Sequence, residues 1–125
     1  MQQALLDTNF IITCIKQKID LFEELQFRGI SIIIPKQVIE ELKKLSSKKG
    51  EAADVSEFAL KYLKTGNFEE VNLPINHFHN KVDEAIMDYA EKNPSLIIAT
   101  LDKRIRMHLD NPHIVIRGRK KLDIL

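Results

Sequence analysis

Four acidic side chains stand at positions where they could hold a divalent metal ion. Asp7 directly follows an apolar pair, and Asp102 comes shortly after a longer apolar run. Glu41 and Asp83 lie in two amphipathic stretches. Carboxylate oxygens are hard ligands of the kind that Mg²⁺ and Mn²⁺ prefer. If the four carboxylates converge, their mutual repulsion calls for a cation, so we expect a Mg²⁺ or Mn²⁺ site there.

Each acid also has a purely structural explanation. Aspartate is a favoured helix N-cap, so Asp7 and Asp102 could each cap the helix that follows them. Asp83 could serve as an acid in the first turn, stabilised by the helix dipole. Taken one at a time, both explanations stay open. The combination of four such positions favours the metal site.

Helical geometry separates these acids from their neighbours. At 100° per residue, Glu41 falls on the border of the apolar face that Val38 and Leu42 define, whereas Glu40 faces solvent. Asp83 lies on the border of its own apolar face in the same way, and Asp88 points outward. We therefore expect Glu41 and Asp83 to look into a cleft beside the core.

The composition indicates which class of protein this is and which metals it could bind. The sequence has 125 residues with 44% hydrophobic and 30% charged residues, which suits one globular domain over residues 1–125. Cys14 is the sole cysteine and the four histidines lack ligand spacing, which disfavours zinc. An unpaired cysteine fits a reducing compartment, so we expect a cytoplasmic protein with no membrane partner. A net charge of +1 means that nucleic-acid binding would need a local basic patch.

The elements that must position the acids alternate between strand and helix. Short apolar runs predict strands at residues 4–6, 30–34, 68–73, 96–100 and 113–116. Amphipathic stretches between them predict helices at about 9–28 with a break near Lys18, then about 35–45 with Pro35 in its first turn, 51–64, 81–92 and 102–109.

This alternation predicts an α/β fold. Strands that are apolar on both faces are typical of a central parallel sheet with helices on both sides, a three-layer α/β/α sandwich. Such sheets carry their functional residues beyond the carboxyl ends of the strands. Asp7 and Asp102 would meet at that edge, and helices that start there would bring Glu41 and Asp83 close.

Four segments together resemble the PIN-domain family. They are the opening Leu5-Leu6-Asp7-Thr8-Asn9-Phe10, the helix segment Val38-Ile39-Glu40-Glu41-Leu42, the helix segment Val82-Asp83-Glu84-Ala85-Ile86, and Ala99-Thr100-Leu101-Asp102. Their order and spacing extend the resemblance along nearly the whole chain. It implies a divalent-metal-dependent endoribonuclease that hydrolyses RNA phosphodiester bonds, with Asp7, Glu41, Asp83 and Asp102 as its catalytic, metal-binding acids. It further implies that Thr8, Asn9 and Thr100 orient these carboxylates.

Two groups within that family fit. Ribosomal-RNA-processing PIN proteins share an opening like this one, a helix like Ile19–Glu24 and a basic tail like Arg117–Leu122. VapC-type toxins of toxin–antitoxin pairs are short single-domain ribonucleases and are the alternative. The expected partners are accordingly RNA, a pre-ribosomal component or an antitoxin. A homodimer is also expected, with the helical stretch Ala52–Leu63 as one candidate surface.

Basic residues near the fourth acid and after the last strand have two explanations. They are a solvated charged surface, or they contact RNA phosphates beside the acidic site. The residues concerned are Arg104, Arg106, Arg117, Arg119, Lys120 and Lys121.

Two other classes of protein compete with a nuclease. A phosphoacceptor receiver domain has similar length and an acidic metal pocket, but it would need paired acids after the first strand, where this chain has only Asp7. A catalytically silent RNA-binding PIN module is the stronger rival, although retention of all four acids disfavours it.

Overall fold

The computed structural model describes residues 2–74, 82–118 and 121–125. Within these ranges strands and helices alternate as expected. The elements are β1 (Gln2–Leu6), α1 (Thr8–Lys16), α2 (Leu21–Phe27), β2 (Ile30–Pro35), α3 (Lys36–Ser46), α4 (Glu51–Leu63), β3 (Glu69–Val71), α5 (Val82–Glu91), β4 (Ile97–Ala99), α6 (Lys103–His108), β5 (His113–Arg117) and β6 (Lys121–Ile124).

The strands form one six-stranded sheet in the order β3-β2-β1-β4-β5-β6. The first five are mutually parallel, and β1 pairs with both β2 and β4 at the centre. Parallel neighbours need a crossover connection, and the helices supply it. The carboxyl ends of β1, β2 and β4 therefore meet at one edge of the sheet.

Two apolar layers cover the two faces of this sheet. Alternate residues of β1 point to opposite faces, so Leu6 packs with the core under α1 to α4 while Leu5 packs with the core under α5 and α6. All of Ala4, Leu5 and Leu6 are fully buried. The predicted three-layer sandwich is confirmed.

The predicted break near Lys18 is also confirmed. Lys18 has a positive φ of 58°, a conformation that ends a right-handed helix. Asp20 then caps α2, accepting a hydrogen bond from the backbone N–H of Glu23 at 3.3 Å. Tyr62 of α4 donates its hydroxyl to the same Asp20 carboxylate at 2.6 Å, which fastens the cap to the neighbouring helix.

The sheet has one edge strand more than the five that the sequence predicts. Strand β6 pairs antiparallel with β5, after a turn in which Gly118 has a φ of 57°. The expected basic tail is therefore partly a hairpin, in which Arg117 Nε lies 3.0 Å from Asp123 Oδ2. Four residues with one buried position give too weak a pattern to predict such a strand from sequence.

The expected dimer surface on α4 and the single cysteine, Cys14, are both described in the structure. The apolar face of α4 is used within the chain, because Ala53, Ala59 and Leu63 are buried in the fold, whereas Phe58 remains 58% exposed. Cys14 is fully buried, and burial raises the pKa of its thiol to about 12. None of the helices in the described ranges combines the length and apolarity needed to cross a membrane.

Candidate active site

Asp7 lies at the carboxyl end of β1, in the middle of the sheet. Its backbone N–H donates to the carbonyl of Ala99 at 2.9 Å, which extends the pairing of β1 with β4 to the site. It also caps α1, since Oδ1 accepts from the N–H of Thr8 at 2.8 Å. The other oxygen, Oδ2, accepts from the hydroxyl of Thr100 at 2.9 Å. Asp7 therefore does cap helix α1, but the cap uses only Oδ1, and Oδ2 is directed to Thr100.

Thr100 connects the first acid with the fourth. While its hydroxyl donates to Asp7, the same Oγ1 atom accepts from the backbone N–H of Asp102 at 3.1 Å. Thr100 is fully buried, so this orientation is set by the core. Asp102 itself caps α6 by accepting from the N–H of Arg104 at 2.9 Å. The Thr-x-Asp segment thereby fixes Asp102 relative to Asp7.

Asp83 lies near the same edge, in the first turn of α5. Helix α5 packs on the face of the sheet opposite to α1. The Nη2 atom of Arg104 lies 3.3 Å from Asp83 Oδ2 and 3.9 Å from Asp102 Oδ2. One guanidinium thus bridges the third and fourth acids. The sequence predicts for Arg104 either a solvated surface or a contact with RNA, and it does not predict this ion pair, because no local pattern indicates a pair between residues 21 positions apart.

The charges of the site act on Asp7. Burial raises the pKa of the Asp7 carboxyl, the hydrogen bonds from Thr100 and from the Thr8 N–H lower it, and the negative charges of Asp83 and Glu41 raise it again. All four acids are therefore connected. Asp83 and Glu41 act on Asp7 through their charge, and Asp102 is joined to Asp7 through Thr100.

Glu41 is the most open of the four acids. It lies on α3 and is exposed to solvent, while its charge still reaches Asp7. Glu40, expected to face outward, lies 4.0 Å from Lys36 and its side chain is 60% exposed. Both glutamates are thus exposed, and Glu41 differs from Glu40 in that its charge reaches Asp7.

The donor set suits a hard divalent cation. It consists of carboxylate oxygens, one of them on a buried side chain whose ionisation costs free energy in the metal-free protein. The hydroxyl of Thr8 is also buried next to Asp7 and has no hydrogen-bond partner among the described residues. In the described ranges no three acidic, histidine or cysteine side chains are close enough to hold an ion together. The acids converge without forming a closed coordination shell.

The other residues expected to orient the acids or to contact RNA are spread over several elements. Asn9 is exposed in the first turn of α1, and Arg106 is half-buried on α6. Arg117 ends β5, whose carboxyl end lies at the same sheet edge as Asp7, and Lys121 begins β6. Arg119 and Lys120 lie outside the described residues.

One cavity of the described fold lies away from the acids. It has a volume of about 830 Å³ and is lined at the amino ends of the strands by residues such as Gln3, Ile30 and Glu69. None of the four acids lines it. The candidate site lies instead at the carboxyl edge of the sheet, where Asp7 follows β1 and Asp102 follows β4.

Comparison with known proteins gives consistent matches. The model of a family described as PIN like domain matches residues 4–121. Ribonuclease VapC4 from Methanocaldococcus jannaschii is 31% identical over 133 aligned positions, covering 99% of this chain and 97% of that protein. The rRNA-processing protein fcf1 from Schizosaccharomyces pombe is 32% identical over 109 positions, covering 85% of this chain and 52% of that protein. A structure described as that of the PIN domain endonuclease Utp24 matches with a TM-score of 0.79 and 26% identity, covering 98% of this chain and 90% of the other.

Proposed function

Because the chain belongs to the PIN-like domain family of nucleases, we propose that it is a divalent-metal-dependent endoribonuclease that hydrolyses RNA phosphodiester bonds. The observation that carries the proposal is the connection of Asp7 to Asp102 through the buried hydroxyl of Thr100. A structural cap needs no such connection between two strand ends. Two acidic residues linked through one buried hydroxyl at the carboxyl edge of a parallel sheet lie where such folds bind their ligands, which supports a metal site there.

In this proposal Asp7, Glu41, Asp83 and Asp102 hold Mg²⁺ or Mn²⁺, some of them through water. The bound ion would activate a water molecule and stabilise the negative charge that develops on the phosphate. The chain's own residues prepare the site before the ion arrives. Thr100 and the N–H of Thr8 keep the two oxygens of Asp7 in place, and burial keeps water from satisfying that carboxylate.

RNA would approach the open carboxyl edge. Arg104 lies beside the acids with a side chain that is 64% exposed. Arg117, at the end of β5, lies at the same edge, since β5 runs parallel to β4. These positions suit phosphate contacts that place the backbone across the acids. We extend this role to the other expected basic residues, Arg106, Arg119, Lys120 and Lys121.

Ribosomal RNA processing is the first candidate for the biological role. The named activity of fcf1 supports it, although this chain spans about half the length of that relative. A VapC-type toxin is the second candidate, favoured by the match to VapC4 over 97% of its length. The first role implies a pre-ribosomal partner and the second an antitoxin. Arrest of growth on expression of the chain alone, relieved by an Asp7→Asn variant, would decide for the toxin.

Cleavage of a fluorescent single-stranded RNA tests the activity. The wild type is expected to cut in Mn²⁺ or Mg²⁺ and not in EDTA, and Asp7→Asn and Asp102→Asn are expected to abolish cutting without unfolding the protein. Asp88→Asn is the matched control, because Asp88 is exposed on the same helix as Asp83. Full activity in both site variants would refute the proposal, and RNA binding without cutting by the wild type would favour a silent binding module.

A further inference from the structure

Arg104 forms an ion pair that links two helices of the candidate site. Its guanidinium is shared between two acids on different helices, Asp83 of α5 and Asp102 of α6. Among the described residues, it is the only cation within ion-pair distance of any of the four acids. We propose that Arg104 is the built-in counter-ion of the acidic site, which a divalent metal displaces and which then binds a phosphate of the RNA.

The oxygens that Arg104 contacts are those that a metal would use. In Asp102, Oδ1 accepts a hydrogen bond from the N–H of Arg104, and Oδ2 is the oxygen that this cap leaves unused. The guanidinium lies 3.9 Å from that Oδ2 and 3.3 Å from Asp83 Oδ2. A cation that binds both acids must therefore compete with the guanidinium for these two oxygens.

The environment of Arg104 allows it to leave. Its side chain is 64% exposed, and the side chains of Asp83 and Asp102 are 38% and 31% exposed. Solvent screens such pairs, so each contributes little and no buried charge is stranded when they separate. A divalent ion carries twice the charge of the guanidinium and attracts both carboxylates more strongly. Exchange of one cation for the other is thus energetically accessible.

Once displaced, the guanidinium remains attached to the first turn of α6, directly beside the acids. A guanidinium presents a planar fork of N–H groups that matches two oxygens of a phosphate. The group that neutralises the empty site would then face the substrate of the loaded site. This inference rests on the proposed nuclease function. It adds to that function a residue, Arg104, that binds an RNA phosphate only when the metal is bound.

Mn²⁺ affinity without RNA tests the displacement step, measured by titration calorimetry on the full chain. Arg104→Gln removes the competing cation and is expected to tighten Mn²⁺ binding about three- to tenfold. Arg104→Lys keeps the charge and should bind Mn²⁺ within about twofold of the wild type. Lys103→Gln removes the same charge from the adjacent exposed position and is the control for a general field effect, expected to tighten binding less than about twofold.

The melting temperature gives a second readout of the same exchange. In EDTA, Arg104→Gln should melt below the wild type, because the carboxylates of Asp83 and Asp102 lose their counter-ion. In saturating Mn²⁺ the two proteins should melt together, so the variant shows the larger shift on metal addition. In RNA cleavage, Arg104→Gln should raise KM at saturating Mn²⁺.

The outcomes separate this inference from the nuclease proposal. Unchanged or weaker Mn²⁺ binding by Arg104→Gln, with the wild type binding normally, would overturn the counter-ion and leave the nuclease intact. Equal tightening by Lys103→Gln would overturn it as well, because only the local field would then matter. Absence of Mn²⁺ binding by the wild type would overturn both.

Discussion

Replacement of Thr100 by valine tests the connection between the two central acids. Valine keeps the shape of threonine and removes the hydroxyl, so the packing changes little. Two hydrogen bonds are lost, one donated to the Asp7 carboxylate at 2.9 Å and one accepted from the Asp102 N–H at 3.1 Å. A bond to a charged group contributes about 1.5–3 kcal/mol and a neutral one about 0.5–1.5 kcal/mol, so we expect a loss of about 2–4 kcal/mol in the free energy of unfolding.

Thr100→Val should also change the pKa of Asp7 and the pH dependence of cleavage. The Thr100 hydroxyl lowers the pKa of the Asp7 carboxyl, so its removal should raise that pKa further. Metal binding needs the ionised carboxylate, and the acidic limb of the cleavage profile should therefore move to higher pH. Thr100→Ser restores the hydroxyl and should recover both the pH profile and most of the stability.

Urea unfolding in EDTA at neutral pH, together with cleavage rates across the acidic range, measures both effects. The reasoning would be refuted if Thr100→Val unfolded within about 0.5 kcal/mol of the wild type, which is the scale of an ordinary surface substitution. It would equally fail if serine behaved like valine, since the methyl group and not the hydroxyl would then matter.

Three further predictions follow from other parts of the structure. The folded protein raises the pKa of the Asp7 carboxyl above its value in the unfolded chain. The metal-free protein should therefore lose stability as the pH rises from the ordinary carboxyl pKa through the raised pKa of the folded state. Thermal melts in EDTA should show this decline in the wild type and not in Asp7→Asn. The two N–H groups of the buried Asn111 side chain share three backbone carbonyls, which lie 2.9–3.1 Å from its Nδ2 atom. Asn111→Leu should therefore cost about 2–4 kcal/mol in urea unfolding, and a loss below about 1 kcal/mol would contradict this. A Cβ on Gly66 would overlap the ring of Phe22, so Gly66→Ala should cost about 1–3 kcal/mol, with an unchanged unfolding midpoint as the contrary result.

The fold was predictable where short-range pattern and burial agree. The run Ile30–Ile34 indicates a strand on its own, and β2 extends it by one residue to Pro35. The helix break near Lys18 follows from interrupted periodicity. Strand β6 could not be found in this way, because it is stabilised by pairing with β5 and not by its own composition.

The contacts of the candidate site also differ in whether the sequence predicts them. The approach of Asp7 to Asp102 follows from parallel topology, because both residues come after neighbouring strands. The pair of Arg104 with Asp83 depends on how α5 and α6 pack, which local periodicity does not encode. The assignment of the four acids as metal ligands stays a prediction until metal binding is measured.

The bond between Asp7 and Thr100 joins residues 93 positions apart in the chain. Local contacts form early in folding, whereas contacts of such separation close a long loop and depend on strands β1 and β4 coming together. During synthesis, the first acid leaves the ribosome long before the segment that orients it. Asp7 gains its buried setting only when the central strand pair is complete, so the order of assembly itself would delay activity until nearly the whole domain has folded.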